Sequence, residues 1–200
     1  MRAQHIGALA LALSQADVIV FTLGLTEGWE HRASGTAYPT APGTIAGEFD
    51  PDHFIFRNYG VAEILEDFTA VEEMLAEINP DLKWLLTVSP VPLAATATED
   101  HVLTATARSK AVLRVVCDMA RESSARIDYF PSYELVMSPA HPTGAFAPDL
   151  RSVRPEVVEG IMALFLAAHG LTPAAQDAAG DAAAADEAIC EDVLLDAFRP

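Results

Sequence analysis

Three short apolar segments, each followed by polar or turn-forming residues, stand out at residues 18–23, 84–88 and 127–130. The first, Val-Ile-Val-Phe-Thr-Leu, is rich in β-branched side chains and stops at Gly24. Continuous apolar runs of this length are typical of parallel strands that are covered on both faces. The pattern therefore predicts three buried parallel strands.

The segments around these strands carry helical periodicity. Apolar side chains recur at the 3.6-residue period through residues 61–78, and a second helix is predicted from about 102 to 122. Another predicted helix opens with Pro155 and Glu156, which are both favoured in a first helical turn. Near the amino end, Ile6, Leu9 and Leu13 share one helical face, which predicts a helix packed into the core.

Strands that alternate with helices predict an α/β fold, here a three-layer α/β/α arrangement around a parallel sheet. Three strands are few for such a sheet, so we expect the domain to be incomplete at its amino-terminal end. The α/β domain is predicted to span residues 1–169. Residues 170–188 are mostly Ala, with Asp, Gly and Pro, a composition with too few large side chains to build a core, and Ile189 to Phe198 are compatible with a short terminal helix. Residues 170–200 are therefore predicted to form a tail outside the core.

Two long segments show no regular periodicity. Residues 28–60 combine several glycines and prolines with many aromatic side chains, which predicts an irregular but packed segment. Two interpretations stay open for it, a pocket wall or a structural cover over the sheet edge. Residues 131–154 are predicted to form a polar, proline-bearing loop.

Composition narrows the classes of function. The formal net charge of −17 argues against nucleic-acid binding, which needs a cationic surface, and favours a cytoplasmic protein. No strongly apolar run of 18 residues predicts a membrane span. The two cysteines are too few for a disulfide framework. Cys117 lies in an apolar helical pattern and is interpreted as a core residue, whereas Cys190 lies in the tail.

Polar residues follow each predicted strand and should meet at the carboxyl edge of the sheet, where open α/β folds bind ligands. A glycine there permits close backbone approach, and backbone N–H groups with short polar side chains are suited to an oxyanion hole. Each residue taken alone is equally compatible with a turn or a solvated loop charge. The predicted substrate-binding set is Gly24, Thr26, Glu27, Ser89, Tyr133 and Glu134.

His141 and Asp149 lie in the loop after the third predicted strand, and both are candidates for proton transfer. The six histidines show no paired metal-ligand spacing, and no phosphate-binding glycine loop is present in the sequence. The sequence therefore predicts no metal site and no cofactor.

Several motifs, taken in order, resemble the GSCFA domain family over roughly residues 2–166. They are FTLGLTEGW (21–29), Tyr38-Pro39 with PGT (42–44), LTVSPVPL (86–93), HVL (101–103), SKAVLR (109–114) and YFPSYE (129–134). The family is regarded as similar to the SGNH, or GDSL-like, hydrolases, which have α/β/α folds. The resemblance implies hydrolysis or transfer of acyl groups held in a small-molecule or carbohydrate ester.

Two departures from the family pattern bear on this expectation. The Gly-Ser-Cys-Phe-Ala motif, whose serine would match the SGNH nucleophile, is absent from the sequence. The late Asp-x-x-His pair falls on Asp149 and Ser152, and a serine cannot act as the base at neutral pH. The resemblance thus makes Asp149 a candidate catalytic residue, with His141 as the alternative base and no nucleophile assigned. A non-catalytic binding module remains the alternative.

Overall fold

The computed structural model describes residues 2–45, 47–139, 141 and 144–171. The predicted tail lies outside the described residues from position 172 onward, and so does Cys190. In chain order the elements are α1 (Arg2–Gln15), β1 (Val18–Leu23), β2 (Glu27–His31), β3 (Ala37–Tyr38), β4 (Phe54–Asn58), α2 (Val61–Ile78), β5 (Lys83–Val88), α3 (Val102–Ser123), β6 (Ile127–Tyr129), α4 (Ser132–Met137) and α5 (Pro155–Ala168).

The chain forms two compact units. The parallel-sheet unit comprises Met1–Thr26, Tyr59–Pro90 and Ala107–Ser138. The antiparallel-sheet unit comprises Glu27–Asn58, Val91–Thr106 and the described residues between Pro139 and the end of the chain. The chain therefore crosses between the units several times.

The parallel-sheet unit is built on β1, β5 and β6, with β5 in the centre. β1 and β5 pair in parallel from Val18 opposite Lys83 to Leu23 opposite Val88, and β5 and β6 also pair in parallel. The predicted parallel sheet and α/β/α class are thereby confirmed. The crossover helices α2 and α3 also begin where the periodicity predicts.

The core of this unit lies on one face of β5. Leu86 and Val88 are fully buried there against α3, and the Phe68 ring of α2 packs edge-on against Trp84. Side chains alternate between the faces of a strand, so Thr87 points to the opposite face. There its hydroxyl is hydrogen-bonded to Ser132 of α4. The central strand is thus covered by helices on both faces.

Two predictions of burial are wrong. β1 was expected to be buried, yet Val18, Val20 and Phe21 are 49%, 55% and 45% exposed. The α1 helix forms as predicted, but Ile6 and Leu9 are more than half exposed, so it is not a core helix. The reason is topological, because β1 is the outer strand of the described sheet and pairs there only with β5.

The antiparallel-sheet unit corrects the prediction that residues 28–60 hold no regular element. β2 pairs with both β3 and β4 in a small antiparallel sheet. The Trp29 ring packs edge-on against Phe49 and Phe56, with ring centroids 5.1 and 5.4 Å apart. The aromatic side chains of this segment are therefore packed down, as the sequence predicts, although around strands.

The loop predicted at residues 131–154 is also partly wrong, because α4 occupies its first residues. Farther along, Phe146 and Val153 form an antiparallel bridge, and the Arg154 N–H donates to the carbonyl of Ala145. Six residues are too few to show helical periodicity in a sequence, which is why α4 escaped prediction.

Cys117 is fully buried in the core, which confirms its interpretation as a core residue. Burial raises the pKa of its thiol to about 12, so the thiol stays protonated at neutral pH. None of the described helices combines the length and apolar character that a bilayer crossing requires.

Gly43 gives a stability prediction for the antiparallel-sheet unit. Its φ is +90°, and a Cβ built there would lie 2.9 Å from the backbone nitrogen of Phe49. We expect Gly43→Ala to lower the free energy of unfolding by about 3 kcal/mol, from left-handed strain plus overpacking. Urea unfolding followed by tryptophan fluorescence measures this.

Gly47 is the matched control, since its φ is +78° but an added Cβ would meet nothing within 4 Å. Gly47→Ala should cost only the backbone strain, about 1–2 kcal/mol. Equal losses in the two variants would show that the contact with Phe49 does not constrain this turn.

Candidate functional site

The carboxyl ends of β1 and β5 meet at one edge of the parallel sheet. The Ser89 N–H donates to the Leu23 carbonyl at 2.9 Å, so the residues that follow both strands start side by side. The Phe130 N–H donates to the Leu86 carbonyl at 2.8 Å, which brings the chain after β6 to the same edge. The predicted strand direction is therefore confirmed, while the functional role of these residues stays a prediction.

The loop after β1 is held from beneath by α3. Ser109 Oγ accepts the Thr26 N–H at 2.7 Å and also lies 2.8 Å from Thr26 Oγ1. The next residue of the helix, Lys110, donates from Nζ to the Gly24 carbonyl at 2.9 Å. Thr26, Ser109 and Lys110 are all buried. Two successive α3 side chains thus fix both ends of the loop.

Arg108 adds a second cationic group to this loop. Its Nη1 donates to Thr26 Oγ1 at 3.2 Å, and its Nη2 donates to the Tyr59 carbonyl at 3.5 Å. The Tyr59 N–H in turn donates to the Thr26 carbonyl at 2.9 Å. The loop is therefore tied to the start of α2 as well as to α3.

In this otherwise fixed loop Leu25 is exposed, and so is Gly24, which has no side chain. A Cβ built on it would meet no protein atom within 4 Å, so the space in front of it is open to a ligand. Thr26, by contrast, is only 1% exposed and supports the loop from below. Of the two predicted binding residues in the loop, Gly24 is the one that solvent reaches.

Sequence reasoning assigned no role to Arg108, Ser109 or Lys110. Ser109 and Lys110 begin the SKAVLR segment, and Arg108 directly precedes it. The sequence signal that could have drawn attention to them is Lys110, a charged residue beside the apolar face of a predicted helix. A lysine is almost never fully buried unless it has a partner, and here the partner is the Gly24 carbonyl.

Glu134 lies at the same edge, but its carboxylate is hydrogen-bonded to other side chains of the unit. Its carboxylate accepts hydrogen bonds from Arg114 Nε and from the Tyr129 hydroxyl, both at 2.8 Å. The Arg114 guanidinium also lies 4.3 Å from the centre of the Tyr129 ring. Burial, and then the bond to Glu134, raise the pKa of Tyr129, so its hydroxyl remains a donor at neutral pH. Tyr133 packs against the core of the unit.

Glu27, the first residue of β2, belongs to the antiparallel-sheet unit. Its carboxylate accepts hydrogen bonds from the Thr96 hydroxyl at 2.6 Å and from the Ala97 N–H at 3.2 Å. It therefore anchors the segment that follows β5 rather than remaining a solvated charge.

Asp149 forms a closed turn in the same unit. Its carboxylate accepts the Ser152 hydroxyl at 2.6 Å and the N–H groups of Ser152 and Arg151 at 3.0 and 2.9 Å. These bonds, led by that of the Ser152 hydroxyl, hold the pKa of Asp149 below its usual value. The His141 carbonyl accepts the Gly144 N–H at 3.0 Å, and the residues next to His141 lie outside the described part of the chain.

The candidate residues thus divide between the units. Gly24, Thr26, Ser89, Tyr133 and Glu134 lie in the parallel-sheet unit, and Glu27, His141 and Asp149 lie in the antiparallel-sheet unit. Within the residues that the structure describes, no group of three or more His, Cys, Asp or Glu side chains is arranged to hold a metal ion.

Comparison with known proteins assigns the chain to a family. The GSCFA family model matches residues 1–165, more than three quarters of the 200-residue chain. The chain belongs to the GSCFA family. No curated protein and no solved structure matches it. The GSCFA match includes the loop after β1, all of α3 and the turn at Asp149.

A substitution at Ser109 tests how the loop after β1 is held in place in this GSCFA domain. Ser109→Ala leaves the buried Thr26 N–H without its acceptor, so we expect the free energy of unfolding to fall by about 1–3 kcal/mol. Ser123→Ala is the matched control, because Ser123 ends the same helix and its hydroxyl donates to the Ala120 carbonyl one turn earlier.

The control should cost no more than about 0.5 kcal/mol, as for substitutions outside buried networks. Urea unfolding followed by circular dichroism compares the two variants. If Ser109→Ala were as stable as Ser123→Ala, the contact between Ser109 and Thr26 would not be what fixes the loop.

Proposed function

We propose that this GSCFA domain recognises acyl esters of small molecules or carbohydrates and that the loop at Gly24 receives the acyl carbonyl. The proposed family chemistry is hydrolysis or acyl transfer, although this chain, which has no assigned nucleophile, is expected to show no turnover. The observation that carries the proposal is an exposed glycine on a loop fixed by buried hydrogen bonds at the carboxyl edge of a parallel sheet. Ligand sites in open α/β folds lie at that edge.

The electrostatics of the loop support an acyl-ester substrate. Attack on an ester carbonyl places negative charge on its oxygen, and fixed donors or cations stabilise that charge without having to reorganise. The Lys110 ammonium and the Arg108 guanidinium are both hydrogen-bonded to the loop. They supply positive charge beside Gly24 in a protein whose formal net charge is −17.

Two serines of this edge have hydrogen bonds that hold the parallel-sheet unit together. Ser109 is hydrogen-bonded to Thr26, and Ser132 is hydrogen-bonded to Thr87 and to the Val88 carbonyl. Both serve the fold, so neither is proposed as a nucleophile. Ser89 follows β5 directly at the edge and is proposed to contact substrate.

A second candidate function is a non-catalytic module that binds such esters without cleaving them. One observation favours it. Asp149 is hydrogen-bonded by Ser152, which stands where the SGNH pattern has the histidine base. Binding and turnover therefore need separate experiments.

Binding is tested with methyl methylphosphonate, whose tetrahedral anion resembles the oxyanion formed during ester cleavage. Titration followed by amide NMR should shift the Gly24 and Leu25 signals. Gly24→Ala should weaken binding at least about tenfold, because a methyl group displaces the ligand from the loop.

Gly7→Ala is the control for this titration, since a Cβ at Gly7 also meets nothing within 4 Å. It should bind the phosphonate like the unmodified protein. Absence of any shift at Gly24 and Leu25, or equal binding by both variants, would contradict the proposed role of the loop.

Turnover is tested with p-nitrophenyl acetate. We expect the 200-residue chain to show no hydrolysis above buffer, because no nucleophile is assigned and Ser152 stands in the base position. Hydrolysis that disappears in Ser89→Ala but persists in Ser123→Ala would contradict this expectation and identify Ser89 as a nucleophile.

A further inference from the structure

An apolar groove runs along β1 in the parallel-sheet unit, between α1 and α2. Its volume is about 460 Å³. The Trp84 and Phe68 rings form its floor, and Leu9, Phe21, Leu23 and Val71 are among the side chains that form its walls. This groove is distinct from the polar loop at Gly24 but begins at the residue before it.

We propose that this groove holds the acyl chain of the ester, a neutral hydrocarbon chain of medium length. The inference rests on the proposed function, because it assigns the apolar half of the same substrate. It goes beyond that function by stating which acyl groups the protein accepts.

The floor of the groove is preformed. Trp84 and Phe68 are only 5% and 8% exposed, and their rings meet edge-on with centroids 5.2 Å apart. Phe21 stands edge-on to Trp84 at 6.2 Å yet is 45% exposed, so the wall is open above a buried floor. Pockets for small ligands typically have about 300–1,000 Å³ and a mainly apolar lining.

The charge of the side chains that line the groove favours an uncharged hydrocarbon chain of the ligand. Asp67 is the one ionisable side chain among the residues that line the groove, and it is acidic. A carboxylate head group within the groove would meet this negative charge. The polar end of the ligand must therefore lie outside the groove, where positive charge is available.

The geometry of β1 provides that connection. Ile19, Phe21 and Leu23 alternate onto one face of the strand and all line the groove. Leu23 is followed directly by Gly24, whose carbonyl binds Lys110. From Ile19 to Leu23 the strand rises about 13 Å, which roughly ten carbons of a zigzag chain with bonds of about 1.5 Å would span. A chain in the groove would thus present its ester group at Gly24.

Ligand binding is tested through the fluorescence of Trp84, which lies at the floor of the groove. In a Trp29→Phe background, Trp84 is the remaining tryptophan, and its fluorescence is followed while methyl butanoate, hexanoate, octanoate and decanoate are added below their solubility limits. Each added methylene should lower Kd about fourfold, as expected when one CH₂ leaves water. The gain should continue up to the ten-carbon ester, whose chain matches the length of the groove.

Two variants on α2 separate groove filling from a general surface effect. Val71 lines the groove and is 42% exposed, whereas Met74 is 58% exposed and does not line it. Val71→Phe should raise the Kd for methyl decanoate at least tenfold, and Met74→Phe should leave it unchanged. Unaltered circular dichroism shows that both variants fold.

Three outcomes would overturn the inference. The first is a Kd that does not depend on chain length or on Val71→Phe. The second is equal binding of n-decanol and methyl decanoate with no effect of Gly24→Ala, which would make the groove an apolar site unconnected to the ester. The third is a dimer in sedimentation that Val71→Phe dissociates, which would assign the groove to a second copy of the chain. Methyl methylphosphonate has no chain, so its binding to the loop tests the proposed function independently of all three.

Discussion

The hydrogen bonds between α3 and the loop after β1 are the constraint on which the rest of the structure depends. The chain leaves the parallel-sheet unit after Thr26, returns at Tyr59, and returns a second time at Ala107. Ser109, Arg108 and the Tyr59 backbone tie these points together within one unit. Because an unpaired buried N–H or ammonium is costly, the loop has little freedom once the core around α3 has formed. The position of Gly24 follows from that.

The sequence predicts the parallel sheet well, because continuous apolar runs and 3.6-residue periodicity are local signals. It does not predict β2, β3 and β4, since Glu27-Gly28-Trp29-Glu30-His31 shows no apolar run and no clean alternation. The sequence also fails to predict how exposed the side chains of β1 are. A run such as Val18–Leu23 is suited to the interior of a sheet, but its actual exposure depends on which strands lie beside it.

The candidate site shows the same division between local and distant information. Strand ends identify the edge of the sheet, and with it Gly24 and Ser89. The α3 side chains that hold this edge are more than 80 positions away from Thr26 and Gly24 in the chain, so no local pattern links them. Conversely, Glu27 and Glu134 are charged residues near strand ends whose carboxylates bind neighbouring segments of the fold. A polar residue near a strand end can therefore serve to hold the fold in place, and the sequence alone does not distinguish it from one that is available to a ligand.

The exposed outer edge of β1 has a consequence for how the protein behaves at high concentration. Natural edge strands are usually guarded by a charge, a proline or a bulge, and Val18–Leu23 has neither a charged residue nor a proline. Among the described residues, the outer side of β1 pairs with no other strand, which makes it a template for pairing with another molecule. Short β-branched segments are also prone to amyloid-like stacking. Repulsion between chains of formal charge −17 opposes such encounters. Screening reduces that repulsion to a range of about 8 Å at physiological ionic strength. Added salt should thus promote aggregation of this protein through a strand whose sequence would be harmless in the middle of a sheet.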